Sequence, residues 1–122
     1  MALSTLVMVG ETKDWVPELA ERAKGIKMDG GFEEGADLGP VITPQAKKRI
    51  EDLIASAEAE GATILLDGRG QKPEKYPNGN WVGPTIIANV KPTTSSAATV
   101  NTVSRTVVTM SFHHSGEVST VT

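Results

Sequence analysis

Apolar residues recur at spacings of three and four in the middle of the chain, a pattern typical of an amphipathic helix. Thr43 is the expected N-cap, and Pro44 suits the first helical position because its missing N–H costs nothing there. Gly61 stands where a left-handed C-cap would end the helix, and residues 63–66 (TILL) after it predict a buried strand. The stripe, which is expected to face the core, consists of Ala46, Ile50, Leu53, Ile54 and Ala57.

The first part of the chain predicts a strand and a second helix. Residues 3–9 form an apolar run, which is typical of a strand buried on both faces, as in a parallel sheet. The helix is predicted to begin near Thr12 or Asp14, because Pro17 is tolerated only in a first turn. A strand that is apolar on both faces needs a layer on each side. Two helices do not plainly supply both layers, so a marginally stable domain is expected.

A third strand is predicted after the polar stretch that follows the central helix. Residues 81–90 carry the strand pattern, and Pro84 places an interruption there at an edge or a bulge. The resulting order is strand, helix, helix, strand, strand. It predicts an α/β fold with about three strands and two helices over residues 1–92.

The character of the sequence changes after residue 92. Residues 93–122 contain 14 Ser or Thr and only two charged residues. Val108, Met110 and Phe112 alternate with polar residues, which is a weak strand signal. Because too few apolar residues are present for a core, residues 93–122 are predicted to be a disordered or loosely attached tail.

Composition limits the partners that this sequence can be expected to bind. Its 122 residues suit one domain at most, and its net charge is −3. No basic stripe is available for phosphates, so nucleic acid is not an expected partner. No apolar run reaches membrane-spanning length. Residues 1–9 contain no basic residue, so neither a signal peptide nor a mitochondrial presequence is predicted there.

Candidate chemistry is scarce in this sequence. Cysteine is absent, which excludes disulfides, thiolate metal sites and a thiol nucleophile. The two histidines, His113 and His114, are adjacent and point in different directions on a helix or a strand, so a metal pair is disfavoured. Residues 1–92 have no ready general base near neutral pH unless a carboxylate or lysine is strongly shifted. No catalytic, cofactor-binding or metal-binding residue is therefore assigned.

Three further features each have a functional and a structural interpretation. Residues 68–70 (GRG) lack the third glycine and the following helix of a dinucleotide-binding turn, so an ordinary turn is favoured. The acidic loop 29–37 does not have the spacing of an EF-hand, so a solvated loop is favoured over a calcium site. Trp15 and Trp81 could act as stacking platforms, but core anchors are the favoured interpretation.

Three segments of the chain resemble the aldehyde dehydrogenase superfamily. They are residues 35–47 (GADLGPVITPQAK), 60–69 (EGATILLDGR) and 78–92 (NGNWVGPTIIANVKP). Within the superfamily they most resemble the CoA-acylating methylmalonate-semialdehyde dehydrogenases. The resemblance covers about the first three quarters of the chain. It implies that residues 1–92 are part of an aldehyde dehydrogenase catalytic domain, and that residues 93–122 are not family sequence.

The resemblance also implies which family residues are missing. Residues 1–5 look like those immediately after the nucleophilic cysteine, so the nucleophile would fall just before Met1. The nicotinamide-binding domain and the glutamate that acts as general base would also lie upstream. After Pro92 the family runs to a motif whose glutamate holds the nicotinamide ribose, but this chain departs from the pattern at Thr93. No family catalytic residue can therefore be placed on this sequence.

The chemistry implied by the resemblance is NAD-dependent oxidation of methylmalonate or malonate semialdehyde, with transfer of the acyl group to CoA, as in valine and pyrimidine catabolism. The chain alone is expected to be inactive and to bind neither NAD nor CoA. One alternative is a non-catalytic module that pairs with full-length subunits, since the family is homo-oligomeric. Another is a small α/β enzyme that uses carboxylates, which the lack of Cys and His disfavours. The family implies the mitochondrial matrix, and the chain as written implies the cytoplasm.

Overall fold

The computed structural model describes residues 5–90 and 106–111. These residues form two α-helices and four strands, together with one 3-10 helix, and the predicted α/β class is confirmed. In chain order the elements are β1 (Thr5–Met8), the 3-10 helix (Gly10–Trp15), α1 (Val16–Lys24), α2 (Pro44–Ala59), β2 (Thr63–Leu66), β3 (Thr85–Ala88) and β4 (Thr106–Ser111).

The central helix α2 forms where the sequence predicts it. The Thr43 hydroxyl accepts a hydrogen bond from the Ala46 N–H at 3.1 Å, and Pro44 opens the helix. Gly61, at φ +90°, supplies the left-handed residue just after the helix ends. Ile50, Ile54 and Ala57 are buried and Ala46 packs against them, so most of the apolar stripe faces the core as predicted. Leu53 is half-buried and lines a depression on the helix surface instead of joining the cluster.

The four strands form one sheet in the order β1-β4-β3-β2, and every neighbouring pair is antiparallel. The parallel arrangement predicted from residues 3–9 is therefore wrong for the described strand Thr5–Met8. An apolar run indicates that both faces of a strand are covered by other elements. It does not indicate whether the neighbouring strands are parallel or antiparallel.

The two helices cover opposite faces of the sheet. Ile86 packs in a cluster with α1 and Ile87 packs in a cluster with α2, as expected for consecutive strand residues, which point to opposite faces. All four residues of β3 are buried, so each face receives one helix at the centre of the sheet. The buried members of the α1-side cluster are Met8, Val16, Ala20, Ala23 and Ile86, and those of the α2-side cluster are Val41, Ile50, Ile54, Ala57, Val82, Ile87 and Val90.

Two strand predictions change because of position in the sheet. β2 lies at an edge, so Thr63 and Leu65 are exposed instead of the whole strand being buried. Ile64 packs against the α2-side cluster and Leu66 against the α1-side cluster. The register of β2 shifts between Ile64 and Leu66, which marks a bulge. β3 is an inner strand that begins just after Pro84, so the proline precedes the strand instead of interrupting it at an edge or a bulge.

Strand β4 comes from the segment that the sequence predicts to be disordered or loosely attached. It lies between β1 and β3, with Thr106 opposite Met8 and Met110 opposite Ile86. The alternation at Val108 and Met110 was the only local signal for it. Pairing on both sides supplies the hydrogen bonds and neighbours that this polar segment lacks by itself. The rest of the tail, including Phe112, His113 and His114, lies outside the described residues.

Candidate functional site

Two polar loops meet at Glu33. Lys75 Nζ lies 2.5 Å from the Glu33 carboxylate, and the Tyr76 hydroxyl donates a hydrogen bond to the same oxygen at 2.7 Å. These two bonds, Lys75 first, lower the pKa of Glu33. The hydrogen bond to Glu33 in turn raises the pKa of Lys75 and that of Tyr76. The cluster therefore holds its carboxylate ionised and its lysine protonated at neutral pH, and it offers no general base.

The position of Tyr76 is fixed by its packing and by Trp81. A Cβ on Gly30 would lie 3.0 Å from the Tyr76 ring, so the ring lies directly against the loop backbone. The buried Trp81, at 2% exposure, donates its indole N–H to the Tyr76 carbonyl at 2.6 Å. The predicted anchor role of Trp81 is confirmed. That of Trp15 is wrong, because Trp15 ends the 3-10 helix and remains 62% exposed.

The second charged cluster is centred on Arg69. Its guanidinium lies 2.5 Å from the Asp67 carboxylate and 3.1 Å from the Glu58 carboxylate on α2. The hydrogen bond from Arg69 lowers the pKa of Asp67, and the bonds to Asp67 and Glu58 raise the pKa of Arg69. Two carboxylates thus neutralise this cation, and it is not poised to bind a phosphate.

The turn at residues 68–70 does not fit a dinucleotide. Gly68 N–H donates to the Thr85 hydroxyl at 3.1 Å, and its carbonyl accepts from Gly83 N–H at 2.8 Å. A Cβ on Gly68 would overlap the Gly83 carbonyl, so the space beside this glycine is filled by the chain itself. Since Arg69 is also neutralised, the turn that the sequence favours here is structural. This turn therefore has no room beside Gly68 for the pyrophosphate of a dinucleotide.

The acidic loop uses its carboxylates on its own backbone. Asp29 accepts from Gly30 N–H at 2.9 Å, and Asp37 accepts from Lys27 N–H at 3.0 Å. The Lys27 ammonium donates to the Glu34 carbonyl at 2.7 Å. In residues 5–90 no three acidic or histidine side chains come together in a way that could hold a metal ion. These hydrogen bonds between the loop's own side chains and backbone hold its conformation.

The surface of α2 carries a shallow depression of about 370 Å³. It is lined by Gln45, Lys48, Arg49, Asp52 and Leu53. All five belong to one helix, so the depression has no second wall with which to enclose a ligand. Lys48 is already paired with Asp52 at 2.7 Å. This arrangement is suited to a solvated helix face rather than to a substrate site. Across residues 5–90, moreover, no helix is long and apolar enough to cross a bilayer.

The charged clusters can be tested through their response to acid. Because the pKa of folded Glu33 is lowered, its contribution to stability is present above about pH 4.5, the ordinary value, and is lost as the pH falls through the lowered pKa. Glu33→Gln should therefore lower the urea midpoint at pH 7 and converge with the parent chain at low pH. Glu34→Gln removes the same charge from a side chain in no described ion pair. An equal decrease of the urea midpoint in both variants would contradict a stabilising role for the ionised Glu33 carboxylate.

The model of the aldehyde dehydrogenase family matches residues 1–120. The chain is 64% identical over 92 residues to the mitochondrial acylating methylmalonate-semialdehyde/malonate-semialdehyde dehydrogenase of Rattus norvegicus, and 63% identical to that of Homo sapiens. Each match covers 75% of this chain and 17% of the relative. The chain thus spans about a sixth of the length of the curated relatives it matches.

Solved structures show the same likeness in three dimensions. The methylmalonate-semialdehyde dehydrogenase of Oceanimonas doudoroffii superposes with a TM-score of 0.69 and 35% identity, over 75% of this chain and 19% of that one. A Sinorhizobium meliloti protein, described as a putative methylmalonate-semialdehyde dehydrogenase complexed with NAD, gives 0.70 and 32% over the same shares. The fold of the described residues is therefore that of one part of a larger enzyme.

Proposed function

This chain belongs to the aldehyde dehydrogenase family, and we propose that it is a segment of the catalytic domain of a CoA-acylating methylmalonate-semialdehyde dehydrogenase that has no activity by itself. The observation that carries the assignment is the identity of 62–64% to such enzymes from four mammals over 92 residues. Because those relatives are named mitochondrial, we place the parent enzyme in the mitochondrion.

The reaction we propose for the parent enzyme is NAD-dependent oxidation of methylmalonate or malonate semialdehyde, with transfer of the acyl group to CoA. Acyl transfer of this kind begins at a thiolate, and the 122 residues contain no cysteine. The resolved pKa shifts of Glu33, Asp67 and Lys75 all move away from neutrality, so none of these groups is tuned as a base. What the chain contributes is a packed core and two loop clusters.

The test is an assay of the purified chain with semialdehyde, NAD and CoA, together with calorimetric titration of NAD. We expect no NADH above a heat-denatured control and no binding at micromolar NAD. A full-length relative assayed in parallel is the positive control. Addition of a cysteine immediately before Met1 should also give no turnover, because base and cofactor site are missing independently. Turnover, or micromolar NAD binding, would overturn the proposal.

A second candidate is a non-catalytic role in which the chain pairs with full-length dehydrogenase subunits. It is favoured by large apolar side chains that stand in solvent instead of in the core, at Val9, Trp15, Phe32 and Ile42. Retention of the chain on an immobilised full-length dehydrogenase, but not on an unrelated protein, would support this role.

A further inference from the structure

The turn over residues 76–81 closes on one carbonyl oxygen, that of Tyr76. The Trp81 indole N–H donates to this oxygen at 2.6 Å, and the Gly79 backbone N–H donates to it at 3.4 Å. The second distance is longer than the roughly 2.7–3.2 Å of an ordinary N–H···O hydrogen bond. The Trp81 end of the turn is therefore held firmly, and the Gly79 nitrogen only weakly.

Packing explains why residue 79 is a glycine. A Cβ on Gly79 would overlap the indole nitrogen of Trp81. Trp81 is only 2% exposed, so its ring has no room to withdraw. The fold thus requires a glycine directly after Asn78. Because glycine has no side chain, an Asn-Gly pair leaves the backbone nitrogen after the asparagine less hindered than any other pair does.

We propose that Asn78 is a self-modification site, at which the chain deamidates without an enzyme. The Gly79 backbone nitrogen forms a bond to Cγ of Asn78, the bond from Cγ to the side-chain nitrogen breaks, and ammonia leaves with the proton of the Gly79 N–H. The product is a five-membered cyclic imide. One water molecule then opens the ring at either carbonyl, which leaves aspartate or isoaspartate at position 78. The reaction consumes no oxidant or reductant, and all other reacting atoms belong to residues 78 and 79.

Asn78 differs from the other two asparagines of residues 5–90. Asn80 precedes the buried Trp81, and Asn89 precedes the buried, β-branched Val90. In both cases a fixed side chain crowds the backbone nitrogen that would have to attack. No described residue forms a hydrogen bond with the Asn78 side chain. Asn78 therefore combines an amide without a described hydrogen-bond partner and an unhindered nitrogen after it.

The isoaspartate product changes the turn more than the aspartate product does. Isoaspartate takes the main chain through the side-chain carbon and adds one methylene group to the backbone before Gly79. Because the Trp81 indole fills the space beside Gly79, the longer backbone cannot keep the contacts of both residues with the Tyr76 carbonyl. We expect the buried indole N–H to lose its partner, which destabilises the fold. Aspartate keeps the backbone length and adds a charge at an exposed residue.

The experiment is peptide mapping by tandem mass spectrometry of the purified 122-residue chain, incubated at neutral and at mildly alkaline pH. Circular dichroism verifies that the incubated chain is folded. Trypsin cuts after Lys75, so the peptide that begins at Tyr76 carries Asn78 together with Asn80 and Asn89. Its fragments locate each conversion. A mass lower by one ammonia identifies the imide, and the exchange of an amide for a carboxyl group identifies the two hydrolysed products.

We expect Asn78 to convert at least about tenfold faster than Asn80 or Asn89 in the folded chain, since only Asn78 is followed by glycine. The rate should rise with pH, because the attacking nitrogen must lose its proton. Asn78→Gln should abolish conversion at this position, because glutamine would have to form a six-membered ring. Asn80→Gln is the matched control and should leave conversion of Asn78 unchanged. Similar rates at all three asparagines, or conversion of Asn78 only in urea-unfolded chain, would overturn the proposal.

The effect on the fold is measured by urea unfolding of fresh and incubated chain. The midpoint of the parent chain should fall in proportion to its isoaspartate content, and that of Asn78→Gln should not change on incubation. Asn78→Asp carries the new charge without the longer backbone, so it should keep the midpoint of the fresh parent chain. A fully converted chain with an unchanged midpoint would overturn the release of Trp81 from the Tyr76 carbonyl.

Discussion

Ile86→Ala is expected to lower the free energy of unfolding by about 2–5 kcal/mol. Ile86 lies at the centre of β3, is 1% exposed, and packs in the α1-side cluster. Its neighbours are held by the sheet on one side and by α1 on the other, so they cannot collapse into the space that the truncation leaves.

The measurement is urea unfolding followed by far-ultraviolet circular dichroism, at a concentration low enough to keep the chain monomeric. Ile42→Ala is the matched control, because Ile42 is 68% exposed and the same atoms are removed from solvent rather than from the core. It should change the free energy of unfolding by no more than about 0.5 kcal/mol. If Ile86→Ala and Ile42→Ala lowered the free energy of unfolding equally, β3 would not be the centre of the core.

Gly68→Ala is expected to cost about 3 kcal/mol or more, although it adds only one methyl group. The new Cβ would overlap the Gly83 carbonyl, which is backbone and cannot rotate away. Relief requires the two segments to separate. That would break the hydrogen bond from Gly83 N–H to Gly68 O at 2.8 Å and the one from Gly68 N–H to Thr85 at 3.1 Å. Thr85 is buried, so its hydroxyl would lose a partner away from water.

Gly39→Ala is the control for Gly68→Ala. A Cβ on Gly39 would meet nothing within 4 Å, and its backbone is not in the left-handed region. Alanine there should be neutral or stabilise the fold by up to about 1 kcal/mol, because it restricts the unfolded chain. The comparison is made by urea midpoints at constant m-value. A small change of the urea midpoint in Gly68→Ala would mean that the segments around Gly68 and Gly83 are not as close as described.

Local signals were sufficient for α2 but not for the start of α1 or for the sheet. The predicted cap at Thr12 or Asp14 is wrong, because a 3-10 helix occupies residues 10–15 and Trp15 precedes the first residue of α1. Thr43, Pro44 and Gly61 determine α2 through their own side chains and dihedral angles, so the sequence predicts its ends correctly. The strands depend on partners distant in the chain. Position in the sheet, rather than composition, decides that the apolar residues 63–66 form a half-exposed edge while the polar segment 106–111 becomes an inner strand.

The charged clusters illustrate the same limit for the candidate site. Asp67 and Arg69 are close in sequence, but Glu58 joins them from α2 only because the chain turns back on itself. Glu33 and Lys75 are 42 residues apart, and no motif links them. The sequence by itself shows that cysteine is absent, which needs no structure. Which carboxylates are held ionised, and by which partners, required the fold.

The insertion of β4 between β1 and β3 has a consequence for synthesis of the chain. β1 and β4 are separated by about 100 residues, so β1 waits for its neighbour until most of the chain has left the ribosome. At roughly 5–20 residues per second, this wait lasts about 5–20 s, which is long compared with the microseconds in which helices form. During that interval the edge of β1 that β4 later occupies is unpaired in a crowded cell. Chaperone capture of the nascent chain would therefore be most valuable before residue 111 emerges.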